Sequence, residues 1–146
     1  MNLFTAMEIA SSGLTAERIR MNTLASNLAN ARTTRTPNGG PYQRLDPVFQ
    51  AVPIESVQPN LRTQGRGETG AYFVQVPSIN ADKSAPQMVY DPQHPDADAQ
   101  GFVALPNVSV VEEMVNLVTA SRSYEAGVTV MQTLKGMAQS ALSIGA

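Results

Sequence analysis

All ten prolines of this 146-residue chain lie between Pro37 and Pro106. A proline inside a helix costs about 3 kcal/mol, so the two proline-free ends can form long helices and the middle cannot. The chain thus reads as three segments: an N-terminal helix over 1–33, an extended β insert over 34–107 and a C-terminal helix over 108–146. Six of the ten glycines, Gly39, Gly40, Gly65, Gly67, Gly70 and Gly101, fall in the same middle stretch. The hydrophobic content is 42%, yet only 5% of residues are aromatic, with four Phe, four Tyr and no Trp. Apolar surface made of Ala, Val, Leu and Met suits helices packed side by side better than a core built on large rings. The expected fold is therefore mainly α, with the terminal helices packed as a coiled-coil-like pair and the middle drawn out into short strands.

Each end carries its own start signal. Thr5 and Glu8, and again Ser109 and Glu112, have the Ser/Thr-x-x-Glu spacing of a capping box, and Glu112 and Glu113 sit favourably at the positive end of a helix dipole. From the first, Met7, Ala10, Leu14, Glu17, Met21, Leu24, Leu28 and Ala31 recur at alternating steps of three and four. That helix is expected to stop near Arg32 to Arg35. In the second, Leu117, Ala120, Tyr124, Gly127, Met131, Leu134, Ala138 and Ala141 form the seam of a helix from about Val110 to Ser143, roughly 50 Å long at 1.5 Å per residue. Between the helices, Pro41 to Phe49, Ala71 to Ile79 and Pro86 to Tyr90 read as strands separated by turn-forming clusters.

Most catalytic chemistry lacks its residues. With no Cys, disulfides, thiolate metal sites and cysteine nucleophiles are excluded. One His and two Lys leave few means to activate a serine. The glycines of Gly65 to Gly70 match a dinucleotide loop in spacing, but such a loop follows a buried strand and opens a helix, whereas Asn60 to Gln64 is mostly polar and Ala71 onward looks extended. A turn is the better reading, and a nucleotide-binding enzyme remains the rival from another class. Asp91 to Asp98 surrounds His94 with carboxylates, yet it lacks the glycine and the twelfth-position Glu of a calcium loop and reads as an acidic turn. No catalytic residue, cofactor or metal is expected. Ten basic against twelve acidic residues, net charge −2, give no field for nucleic acid, and no apolar run is long enough for membrane insertion. The start of the sequence lacks the basic-then-apolar pattern of a signal peptide, so export, if it occurs, is expected to use a route that does not read one.

Two helices pairing through one seam each leave apolar surface over. Val110, Val111, Met114, Val115, Val118, Val128, Val130, Met137, Leu142 and Ile144 stand outside the C-terminal seam, and Ile9 and Ile19 outside the N-terminal one. A contiguous patch of this kind marks a contact surface. The middle segment is one candidate cover; identical neighbours in a head-to-tail arrangement that does not close, hence a helical filament, are the other. The expected subunit interface includes Leu14, Met21, Leu28, Leu117, Val128, Met131 and Leu134. Asn22, Asn27 and Asn30 are candidates to fix helix register, with a solvated position or, for Asn30, a C-cap as the alternatives. An acid-free stretch holding Arg18, Arg20, Arg32, Arg35 and Arg44 and a later acidic one around Asp82 to Glu113 offer opposite patches between copies, or simply solvated surface.

At Ala25-Ser-Asn-Leu-Ala-Asn-Ala31 the chain resembles the N-terminal motif shared by rod and hook proteins of the bacterial flagellum. Pro106-Asn-Val-Ser-Val-Val-Glu-Glu-Met-Val-Asn-Leu-Val-Thr-Ala-Ser-Arg-Ser-Tyr-Glu-Ala126, preceded by Tyr90-Asp-Pro-Gln-His-Pro-Asp-Ala-Asp98 and Gly101, narrows the resemblance to the proximal rod proteins. It runs over nearly the whole chain, with Ser109 and Gly127 standing where that family usually carries Asn. The resemblance implies a non-enzymatic subunit of the rod, the drive shaft in the basal body that crosses the periplasm and passes motor torque to the hook. Its implied partners are identical subunits, other rod proteins, basal-body ring and export-gate components and the flagellar type III export apparatus. The family's contact positions fall on Asn27, Asn30, Glu113, Met114, Asn116, Arg122 and Tyr124, with Arg122 and Glu125 as cross-subunit ion pairs and Tyr124 in an interhelical pocket. A distal rod or hook-junction protein is the nearest alternative, disfavoured by the short middle segment.

Overall fold

The structure, a computed structural model, describes residues 3–54 and 70–144. Its elements run α1 (Leu3–Ala29), β1 (Leu45–Pro53), β2 (Tyr72–Ala81), β3 (Gln87–Tyr90), β4 (Phe102–Leu105) and α2 (Val110–Ile144). Two terminal helices thus flank a middle of short antiparallel strands, as the proline distribution requires. Strand β4 is an addition that the sequence pattern did not suggest.

The helix ends explain themselves in part. Ser109 takes the N-cap position of α2, its carbonyl accepting the first helical bond from Glu113 N–H at 2.9 Å. Thr5 is different: α1 is already helical at Leu3, so Thr5 lies inside it, buried, and does not cap. At the other end α1 stops short of Arg32, with Ala31 N–H bonding three residues back to Leu28 O at 3.3 Å instead of four. Both the Asn30 backbone N–H, at 3.0 Å, and its Nδ2, at 2.9 Å, donate to the Ser26 carbonyl, and Thr33 N–H closes the next turn on Asn30 O. Asn30 thus makes the last four-residue bond of the helix, its side chain on the same carbonyl, and Ala31, expected on the seam, falls beyond it.

Strands β1 and β2 form one two-stranded sheet and β3 and β4 another. In the first, Asp82 N–H donates to Arg44 O at one end and Ile54 N–H to Ala71 O at the other, the crossed order of an antiparallel pair. Along β2 the half-buried positions are Phe73 and Val76, so strict alternation breaks between them. In the second sheet Gln87 pairs with Leu105, Met88 with Ala104, Val89 with Val103 and Tyr90 with Phe102. The Tyr90 and Phe102 rings meet edge to face at 5.3 Å. The connection holding His94 is the acidic turn: Asp98 Oδ1 accepts from Gln100 N–H and Phe102 N–H, Asp91 Oδ1 from Gln93 N–H, and His94 Nδ1 from Asp96 N–H. Carboxylates spent on backbone donors make a turn, not a metal site.

The chain divides into two compact units, each drawing on both helices and the middle. One comprises the described residues of Met1–Ile19, Val48–Pro77 and Ala120–Ala146. Within it α1 has two occupied flanks. Leu14 reaches Gly127, with Leu14 Cδ2 only 2.9 Å from where a Cβ would stand on that glycine. Ser12 Oγ accepts from Val74 N–H of β2 at 3.1 Å, and a groove of about 510 Å³ opens between Ser11, Thr15 and Ile19 on one side and Val52, Phe73 and Val76 on the other. The second unit comprises Arg20–Pro47 and Ser78–Thr119, with Leu24, Val103 and Val108 buried. The residues of α1 buried deepest, Thr5, Ala16, Thr23, Leu24 and Asn27, include only Leu24 from the expected seam. The strands occupy a flank of α1 that a simple helix pair would have left to solvent. On α2 the expected seam coincides with the less exposed stripe from Leu117 to Ala138.

Gly101 shows how tightly the short hairpin is drawn. Its φ is +82°, and a Cβ there would stand 2.9 Å from Tyr90 Cε2 and 3.2 Å from Pro92 Cβ. Replacing Gly101 by Ala is expected to destabilise the protein by about 1–3 kcal/mol, read as a lowered urea midpoint.

Candidate functional site

Two features of the second unit stand out: a buried polar cluster and an apolar helix face that no described residue of the unit covers. The cluster is centred on Asn27, near the end of α1 and 0% exposed, and Glu113, in the first turn of α2 and 1% exposed. Asn27 Nδ2 donates to Leu45 O at 2.9 Å and to Glu113 Oε2 at 3.0 Å, while its Oδ1 accepts from Leu45 N–H and from Tyr42 Oη, both at 2.9 Å. Two donors and two acceptor positions are all a primary amide possesses, so Asn27 is saturated. By engaging both the N–H and the C=O of Leu45, it does for the first residue of β1 what a neighbouring strand would do.

Glu113 is equally committed. Its second oxygen, Oε1, accepts from Arg44 Nε at 2.7 Å, and this bond holds the Arg44 guanidinium above its ordinary pKa. Asp46 adds a looser contact to Arg44 at 4.0 Å. Arg44 N–H donates to Asn107 Oδ1, Asn107 Nδ2 to Asp82 O, and Asp82 N–H to Arg44 O, closing a ring of bonds around the start of β1. A carboxylate can accept at both oxygens, which is what donors on opposite sides demand; an amide in its place would present an NH2 to one of them. Nothing in this arrangement is a nucleophile, a general base or an open coordination site. What it does is tie the end of α1, the start of β1 and the start of α2 together.

The uncovered face lies on the first turns of α2. Val111 is 73% exposed and Val115 62%, and Met114 and Val118 are exposed beside them at positions three and four apart. Met88, Val89 and Tyr90 of β3 are also exposed in this unit. In the other unit Val130, Met137 and Leu142 of α2 are exposed, while Ile9, Ile19 and Val128 are half-buried. The middle segment therefore covers part of α1 and leaves much of α2 open.

The expected interface residues separate accordingly. Met114 is on the open face, and Arg122 is exposed further along. Leu14, Met21, Leu28, Asn116, Leu117, Tyr124, Val128, Met131 and Leu134 are half-buried within the chain's own packing. Asn27 and Glu113 are buried and spent on intrachain bonds, and Asn30 is spent on the α1 terminus. Sequence reasoning missed Tyr42, Asn107 and the pairing role of Arg44; Arg44 was visible only as one of several arginines, 69 residues from its partner. Of the glycine loop, Gly65 and Gly67 lie outside the described residues. Gly70 is described, and it leads into strand β2, not into the helix whose N-terminus a dinucleotide loop needs. Among the described residues no group of three His, Asp or Glu is placed to hold a metal ion, and no helix is long and apolar enough to cross a membrane.

Residues 7–35 match the family model described as "Flagella basal body rod protein", and residues 99–144 match "Flagellar basal body rod FlgEFG protein C-terminal". Three relatives, each a flagellar basal-body rod protein FlgC, align end to end. That of Borreliella burgdorferi is 44% identical over 99% of this chain and 98% of the relative. That of Bacillus subtilis is 45% identical over 99% of both, and that of Salmonella typhimurium 41% over 99% of both. The chain belongs to the FlgC family of flagellar basal-body rod proteins. It is a structural subunit of the flagellar rod, located in the basal body, and not an enzyme. Asn27 and Glu113 each fall inside a family-matched stretch, whereas Arg44 and Leu45 fall between the two.

Glu113→Gln, which turns an NH2 towards either Asn27 or Arg44, is expected to cost about 1–3 kcal/mol. Arg44→Met, which leaves the carboxylate buried without its cation, is expected to cost about 3–5 kcal/mol. Urea denaturation of the two variants against the parent chain, at unchanged m-value, checks both.

Proposed function

We propose that this FlgC-family subunit joins identical copies and other rod proteins through the open apolar face of α2, in a head-to-tail contact whose rotation does not close. The observation that carries the reading is the run Val111, Met114, Val115 and Val118, large apolar side chains exposed together on one helix face. In the assembled rod, segments 1–33 and 108–146 form the axial helical core, paired in coiled-coil fashion, and 34–107 forms the outer, extended part that touches neighbouring subunits. Met114, Asn116, Arg122, Tyr124 and Val128 contribute from α2, and Leu14, Met21 and Leu28 from α1. Arg122 and Glu125 are exposed, as cross-subunit ion pairs would require before assembly.

Torque transmission asks for stiffness. Long helices packed against one another supply it, because bending one disturbs many close-packed contacts together. Contacts with basal-body ring and export-gate components, and passage through the flagellar type III export apparatus without a cleaved signal peptide, complete the proposal.

Val115→Asp places a charge on the open face at a position that is already solvated, so the subunit's own stability should change by no more than about 0.5 kcal/mol. In cells whose only copy carries the substitution, loss of swimming and absence of the subunit from purified basal bodies are expected. Gln132→Asp, an exposed polar position on the same helix, should swim normally. Wild-type swimming by Val115→Asp would overturn the assignment of this face.

A further inference from the structure

We infer that Asn38 is a site of spontaneous deamidation in the folded protein, placing a new carboxylate on an exposed loop. Of the nine asparagines in the sequence, only Asn38 precedes a glycine; the others precede Leu, Thr, Ala or Val. The reaction requires the backbone nitrogen of the following residue to reach the asparagine side chain, and a following side chain obstructs that approach. After Asn38 that obstruction is missing, because Gly39 carries no side chain; Gly39 and Gly40 both have positive φ, +83° and +75°, with open space around them beyond their chain neighbours. Residues 37–40 are exposed, and among the described residues no hydrogen bond engages the Asn38 amide. The contrast with Asn27, Asn30 and Asn107 is direct, because their amides are held by bonds within the fold.

In the reaction the Gly39 nitrogen gives up its proton and attacks Asn38 Cγ. The new N–Cγ bond forms as the Cγ–Nδ2 bond breaks, and the amide nitrogen leaves with that proton as ammonia. Water then adds to one of the two carbonyls of the resulting succinimide. Opening at Cγ yields aspartate, and opening at the main-chain carbonyl yields an isoaspartyl linkage, with the peptide running through the side chain. No oxidant, enzyme or cofactor is involved.

Three bonds brace the turn against the step: Thr36 N–H donates to Gly40 O at 2.9 Å, Thr36 Oγ1 to Gly39 O at 3.2 Å, and the third engages the attacking nitrogen itself. Gly39 N–H donates to Thr36 O at 2.9 Å, closing the turn, and it must leave that carbonyl before attack. The folded chain should therefore react more slowly than the unfolded one. The loop is pinned at its base by Tyr42 N–H to Thr33 O at 3.0 Å, below the site of damage, so the change stays local. A subunit that remains in place for long periods would thus gain negative charge at this loop with age and keep its fold.

The test is to incubate the purified full-length protein at mildly alkaline pH, with and without urea, and map its peptides by mass spectrometry. The expected result is the mass gain of an amide-to-acid change confined to Asn38, faster at higher pH and faster in urea. Methylation by an isoaspartyl methyltransferase should rise with it, and the melting temperature should stay unchanged. Asn38→Ala should abolish both signals. If Asn38 remains an amide in the folded protein throughout the time in which it is consumed in urea, or if the gain appears equally at other asparagines, the inference fails.

Discussion

The side-chain amide of Asn27 makes four hydrogen bonds inside the protein, and they join segments far apart in the chain: the end of α1, the loop at Tyr42, the first residue of β1 and the first turn of α2. Burying an amide is favourable only when each of its polar atoms is paired, and burying a carboxylate demands still more. Asn27 and Glu113 meet both demands through each other and through Arg44. Their bonds are directional, so the set permits one register of β1 against the helices. An apolar contact of the same size would tolerate sliding; this one does not.

The same unit holds its contradiction in the open. One helix begins with a buried, fully paired glutamate at position 113 and, on its other side, a row of solvent-exposed valines and a methionine. The polar group that would cost most in water-free surroundings is the one hidden, and the apolar groups that gain most from burial are left outside. For a solitary soluble protein this is a poor use of sequence. For a subunit of the flagellar rod it is coherent, because the buried cluster fixes how α2 leaves the fold and the exposed row is available to a neighbour.

Much of the architecture could be read in the chain. Confinement of proline to 37–106 restricts long helices to the ends, and Ser109 with Glu112 marks the start of α2 to the residue. The less exposed stripe of α2 follows the three-four spacing from Leu117 onward because heptad-like periodicity is a local property. Other elements were not legible. Thr5 and Glu8 have the spacing of a capping box, but spacing cannot tell a cap from the same residues one turn into a helix. Strand β4 follows from its residue-by-residue pairing with β3, from Gln87 with Leu105 to Tyr90 with Phe102, and a partner strand is not part of a local pattern. Asn30 sits at the end of α1 with its Nδ2 on the Ser26 carbonyl, a bond that a solvated side chain would not make, and sequence had left both possibilities standing.

The amino-acid sequence by itself determined that helices stand at the two ends with strands between them, the absence of cysteine chemistry and, through motifs spread along nearly its whole length, the family. These depend on neighbours within a few residues or on residue identity, both present in a linear string. Only the tertiary structure decided which asparagine and which glutamate are buried, that Arg44 pairs with Glu113, and that the strands cover a flank of α1 while leaving the outer face of α2 bare. Those outcomes depend on groups up to 86 residues apart meeting within about 3 Å, and nothing in local spacing encodes a distance that only folding creates.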